Sequence, residues 1–185
     1  MKKGTWESSL ADLQSADSNR QNKAFEFFHE ATKEPVDWAY EVWDAFMGLL
    51  KEGDNRQRAI ASQALCGLAK SDPKNQMRKD LAALLAVTKD ERFVTARHCM
   101  QSLWKIGVAG ESQREVLVEG LVARFRECVS EKNGTLIRYD ILESLRRIYD
   151  GVGDETLKAT ALALIELEKD PKYRKKYSTL WRKKP

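Results

Sequence analysis

The chain has 185 residues, 42% of them apolar and 32% charged; it is long enough to bury one full core and too apolar for a disordered chain. Its net charge of +4 is unevenly placed. Residues 169–185 hold eight Lys/Arg against one Asp, and the preceding 168 residues hold 24 Lys/Arg against 27 Asp/Glu, which excludes a body that grips nucleic acid over its whole surface.

No apolar run approaches the roughly 18 residues of a membrane span. "MKKGTWESSLADLQ" lacks the apolar stretch of a signal peptide. These features predict a protein that starts near Met1 and stays in the cytoplasm. Cys66, Cys99 and Cys128 show no short paired spacing and fit reduced, buried thiols. There is no CxxC, HExxH or glycine-rich phosphate loop, so no catalytic residue, metal ligand or cofactor is expected.

Residues 1–17 read as an N-terminal capping helix carrying Trp6. Residues 18–169 divide at turn signals into segments with helical period. The punctuation falls at Pro35, at Gly53 with Asp54, at Asp72-Pro73, at Gly107 and Gly110, at Gly134, and at Gly151 with Gly153. Asp72 and Asp170 each precede a proline and predict helix starts there. Apolar faces form at Trp38, Val42, Phe46 and Leu49, then at Met77, Leu81, Leu84 and Leu85. They recur at Leu117, Leu121, Phe125 and Cys128, and at Leu157, Ala161, Leu164 and Ile165. No segment alternates as a strand does. The chain is predicted to be all-α, with short connections and antiparallel neighbours.

Alternate segments resemble one another. Phe28, Leu65, Leu103 and Leu145 serve as anchors, 37, 38 and 42 residues apart. Four positions before each come Ala24, Ala61, Cys99 and Ile141; one position before come Phe27, Ala64, Ser102 and Ser144. A period of about 40 residues with two helices per unit indicates an α-solenoid.

At these residues the chain resembles the HEAT-repeat family. Its second helices often begin with an acidic residue and a Val-Arg pair, followed by "A…AL". Asp54, Arg58, Ala61, Ala64 and Leu65 follow that pattern, as do Ile137 and Arg138. Thr95 and Ala96 depart from it, and so do Arg20 and Gln21. The resemblance covers about Ser18 to Leu167. It implies a right-handed α-α superhelix, a solenoid of about five antiparallel helix pairs, as a single HEAT-like repeat domain over residues 1–185.

The same resemblance implies that the second helices line a concave surface. Their outward positions are Asn22, Glu26, His29 and Glu30 in the first unit, then Ala59, Gln63, Cys66 and Gly67 in the second. In the third they are Arg97, Gln101, Trp104 and Lys105, and in the fourth Tyr139, Glu143, Arg146 and Arg147. Tryptophan and arginine are the commonest binding hot spots. The candidate binding residues are therefore Arg97, Gln101, Trp104, Tyr139, Glu143 and Arg146. The plainer alternative is a solvated face on which Trp104 packs against the next repeat.

His98 and Cys99 invite a metal or nucleophile reading. Adjacent helical residues point about 100° apart, so the pair cannot easily share a ligand. Cys99 takes the place of Ala24 and Ala61 and reads as a helix contact.

Residues 170–185 form a basic C-terminal capping helix with Tyr173, Tyr177 and Trp181 on one face. Arg174, Lys175, Lys176, Arg182, Lys183 and Lys184 make it a candidate contact for an acidic partner.

The expected function is a non-enzymatic scaffold that binds another protein or peptide. The alternative is nucleic-acid binding, since some HEAT-like proteins are alkylpurine DNA glycosylases. Trp104, Tyr139 and Glu143 could imitate the tryptophans and carboxylate such enzymes place near the lesion, but their motifs do not match this chain residue by residue. An accessory role to a pigment lyase is a third reading, weakened by that group's shorter repeats of about 30 residues.

Overall fold

The computed structural model describes residues 5–182. The described residues are helical, with no strand, and no helix among them is long and apolar enough to cross a membrane. Contacts divide the chain into two compact units, one ending at Ser102 and the other beginning at Leu103.

The first unit holds α1 (Thr5–Leu13), α2 (Ser18–Ala31), α3 (Ala39–Glu52), α4 (Asn55–Leu68), α5 (Gln76–Val87) and α6 (Phe93–Met100). α1 packs on α2, α3 on α4 and α5 on α6. α2, α4 and α6 lie side by side, with α3 beside α5. Helix starts follow the capping chemistry in the sequence. Asp17 accepts from the Asn19 amide at 2.7 Å. Asp54 and Gln57 form a reciprocal capping box.

Asp72 behaves differently from its prediction. α5 begins at Gln76 rather than at Pro73, because Asn75 takes the left-handed conformation, φ 58°. The Asp72 carboxylate still caps the helix, accepting from the Gln76 amide at 2.9 Å and the Met77 amide at 2.7 Å. It also accepts from the Tyr40 hydroxyl at 2.6 Å, which ties α3 to the start of α5. Asp170-Pro171 does open a helix as predicted, with Asp170 accepting from the Lys172 amide at 2.8 Å.

The core of the first unit is aromatic. Phe28 meets Phe46 edge to face at 4.9 Å, and Trp38 packs on Phe27 and Phe28. Trp6 stacks on Trp38. Trp43 is buried and donates its indole N–H to Asp80 at 2.8 Å. Near its C-terminal end α4 approaches the end of α2 so closely that a Cβ at Gly67 would lie 2.2 Å from the Thr32 hydroxyl.

The second unit holds α7 (Trp104–Ala109), α8 (Glu111–Glu127), α9 (Gly134–Val152), α10 (Glu155–Glu166) and α11 (Pro171–Ser178). A 3₁₀ turn over Thr179–Trp181 extends α11. α9 is central: α7, α8, α10 and α11 all pack on it. It runs through Gly151 and stops at Gly153, whose φ of 70° favours a residue without a Cβ.

The stretch between Phe93 and the turn signal at Gly107 carries no internal turn signal, yet it is divided between two helices, and α7 runs on through Gly107 to Ala109. Ser102 bonds back to Cys99 and Ile106 to Leu103, three residues each, so the backbone tightens between α6 and α7. The boundary between the two units falls in this turn.

The anchors Phe28, Leu65, Leu103 and Leu145 are all buried, and so are Ala24, Ala61, Cys99 and Ile141. Leu103→Ala is expected to destabilise the protein by about 2–5 kcal/mol in urea unfolding, the range for a core leucine. Cys99→Ala should cost much less. Burial pushes the Cys99 thiol up to about 12. A thiol raised above its unfolded value of about 8.5 stabilises fully below that value, and this contribution is lost as pH climbs through the folded value. Iodoacetamide at about pH 8 should therefore leave Cys99 unlabelled until urea unfolds the chain, as mass spectrometry would show.

Candidate functional site

The first unit carries an open groove across α2, α4 and α6. It has room for about 340 Å³. Its walls are Asn22 and Phe25 from α2, Asn55, Arg56, Ala59, Ile60 and Gln63 from α4, and Val94, Thr95 and His98 from α6. Ala59 and Ile60 are buried and form the floor. Val94 stands on the rim, 67% exposed. A smaller hollow between α2 and α4, lined by Phe25, Phe28, His29, Ile60, Gln63 and Ala64, continues it.

Hydrogen bonds set the three helices in register. Arg56 reaches back to the Ser18 carbonyl at 3.3 Å and also bonds the Asn22 side chain. Thr95 donates to the Asn55 carbonyl at 2.9 Å. The starts of α2, α4 and α6 are thereby neighbours, and the helices run parallel. Arg58 holds the loop before α6, gripping Asp90 through Nε at 2.6 Å and Nη2 at 3.0 Å.

The candidate residues from the sequence fall elsewhere. Arg97 and Gln101 belong to the first unit and are half-buried, outside the groove lining. Trp104, Tyr139, Glu143 and Arg146 belong to the second unit. Trp104 is half-buried, with the Arg147 guanidinium over its ring at 5.6 Å. Glu143 pairs with Arg147 at 3.1 Å.

Tyr139 and Arg146 are met by the C-terminal segment. Tyr139 packs on Tyr177, ring centroids 6.5 Å apart, beneath the Lys176 ammonium at 4.9 Å. Arg146 pairs with Asp150 at 2.8 Å, donates to the Leu180 carbonyl at 3.2 Å and lies over Trp181. Tyr177 is fully buried and donates to the Thr135 carbonyl at 2.8 Å, and burial pushes its phenol well above the usual tyrosine value. Among the basic tail residues, Arg174 donates to the Glu168 carbonyl at 2.9 Å, while Lys175 and Arg182 are exposed. Lys183 and Lys184 lie outside the described residues.

Three positions expected on an exposed face have little exposure, although Ala59 still lines the groove. Ala59, Cys66 and Gly67 are buried, because α4 has α2 on one side and α6 on the other. The exposed strip of α4 shrinks to the groove. Phe25, Asn55, Arg56, Ile60, Val94 and His98 were not singled out as binding residues. Val94 carried a usable signal, an apolar residue just inside a helix start. His98 projects into the groove wall while its neighbour Cys99 faces the core. Among the described residues no group of three His, Cys, Asp or Glu is arranged to hold a metal ion.

No protein-family model, curated protein or solved structure matches the chain.

Proposed function

We propose that this protein is a non-enzymatic scaffold of the HEAT-repeat type, a right-handed α-α superhelix that holds a segment of another protein. Its binding surface is the groove across α2, α4 and α6. The observation that carries this reading is the groove's make-up: an apolar floor at Ala59 and Ile60, an exposed Val94 and amide side chains around them. Apolar floor with polar rim is the usual anatomy of a binding surface. The face of α9 that bears Tyr139 and Arg146 is a weaker candidate, since α11 and its 3₁₀ turn already pack there.

The test is selection of displayed random peptides of about ten residues on the immobilised protein. Three helices about 8–10 Å apart are crossed by about six residues of extended chain, so such peptides are long enough. Selected peptides should lose binding to Gln63→Trp, which fills the groove from a half-buried rim position, and to Val94→Asp, which leaves the fold alone. Peptides indifferent to both variants would refute the reading.

Nucleic acid is expected to bind poorly. Phosphate binding needs clustered positive charge and falls steeply with salt. The first 168 residues are net acidic. At about 150 mM salt, where the Debye length is about 8 Å, duplex DNA should bind weaker than micromolar. What binding remains should vanish when Lys175, Lys176, Lys183 and Lys184 are changed to glutamate. Submicromolar affinity that survives those changes would favour the nucleic-acid reading.

A further inference from the structure

We infer that the partner segment is acidic, with a carboxylate seated at Arg56 and an apolar side chain beside it on Ile60 and Val94. This rests on the reading of the groove as a protein-binding surface and adds the chemistry of its occupant.

The charge of the groove carries the inference. Its lining residues include Arg56 and His98 and no carboxylate. The amides of Asn22, Asn55 and Gln63 complete its polar part. Several other half-buried or buried arginines have carboxylate partners: Arg58 has Asp90, Arg124 has Glu131, Arg138 has Glu168 and Arg146 has Asp150, whereas Arg114 donates to the Gly107 carbonyl. Arg56 is instead met by neutral acceptors, the Ser18 carbonyl and the Asn22 side chain. Its charge is held in place but not neutralised. A guanidinium fixed in this way and facing an open groove is preorganised for a carboxylate.

Helix polarity acts in the same direction. The starts of α2, α4 and α6 lie together at the Arg56 edge, and helix starts are positive ends. Asp17, Asp54 and Asp90 are also there, but Asp17 and Asp54 are engaged in capping α2 and α4, and Asp90 is paired with Arg58 while accepting from the Arg92 amide. α6 has Arg92 at its cap position and no side-chain cap. The exposed carboxylates of α2, Glu26 and Glu30, lie further along that helix and outside the lining. A segment lying across the three helices thus meets the Arg56 guanidinium and three helix starts beside an apolar floor. An acidic residue next to a medium-sized apolar one matches both, and a basic segment would meet Arg56 with like charge.

The experiment uses the same peptide library with the full chain. Peptides enriched on the wild-type protein should carry Asp or Glu next to an apolar residue. Their affinity, read by fluorescence anisotropy, should fall about tenfold for Arg56→Gln, as expected for loss of a charge-assisted hydrogen bond. Arg56→Lys should retain part of it, and changing the peptide's acid to its amide should reproduce the loss. Unchanged thermal unfolding of Arg56→Gln shows that the fold is intact. If that variant fails to fold, the acid-to-amide peptides carry the comparison on the wild-type protein. Enriched peptides that are neutral or basic, or that bind Arg56→Gln and wild type alike, would overturn the inference. If those peptides still depend on Val94 and Gln63, the groove remains a binding surface. Failure to select any peptide dependent on Val94 or Gln63 would remove both.

Discussion

Glu168→Ala is expected to destabilise the second unit by about 3–5 kcal/mol, the range for removing one partner of a buried ion pair. Arg138 and Glu168 are both 9% exposed at the side chain and meet at 2.9 Å. The pair is built into a larger arrangement. Arg138 also donates to the Phe125 carbonyl at 3.1 Å and lies over the Phe125 ring at 4.5 Å. Glu168 accepts from the Asp170 amide at 3.0 Å, just before α11. Alanine would leave the guanidinium buried with one carbonyl and a ring face. It would also loosen the start of α11, exposing Tyr177 to protease. Urea unfolding and limited proteolysis check this. A loss below about 1 kcal/mol would mean that water reaches Arg138 and the pair behaves as a surface one. The double change Arg138→Met with Glu168→Leu should cost much less than Glu168→Ala, because no charge is left unpaired.

Phe28→Ala is expected to cost about 3–5 kcal/mol in the first unit. The ring is 1% exposed and touches three aromatic neighbours: Phe46 at 4.9 Å, Phe27 at 5.2 Å and Trp38 at 6.0 Å. Rigid rings cannot collapse into the space it leaves, so the cavity cost is added to the lost transfer energy. Val94→Ala supplies the contrast. At 67% exposure it should change stability by less than about 0.5 kcal/mol. Calorimetry on both variants decides; a small loss for Phe28→Ala would mean the anchor position is not a packing centre.

Much of the helical order was legible in the sequence because burial follows a period. Leu117, Leu121, Phe125 and Cys128 were read as one face and are all buried. On α3 the period drifted: Leu49 is half-buried, and Leu50 and Trp43 lie in the core instead. Local bonding hid other features. Asp72 caps α5 from four and five residues away, across a turn whose left-handed Asn75 no apolar pattern announces. The break between α6 and α7 likewise costs no apolar position, since Cys99, Leu103 and Ile106 stay buried on both sides of it.

The candidate site was less legible, for a geometric reason. Repeat alignment treats every second helix alike, but exposure depends on neighbours. α4 is flanked on both sides, so Ala59, Cys66 and Gly67 are covered. On α9 the residues Tyr139 and Arg146 meet the chain's own C-terminal segment. The groove between α2, α4 and α6 belongs to no single helix and needs all three placed. Arg56 shows the difficulty: its value lies in having neutral partners, and partners are not visible in one dimension.

Photo-crosslinking from position 94 tests the central claim most directly. A photoreactive phenylalanine analogue at Val94 samples the groove, and the same analogue at Val129, 65% exposed on the second unit, serves as the comparison. In cells producing the full chain, irradiation should give a discrete covalent adduct with another protein from position 94. That adduct should disappear with Gln63→Trp. No adduct at position 94 beyond that at position 129, or an adduct unchanged by Gln63→Trp, would contradict the account.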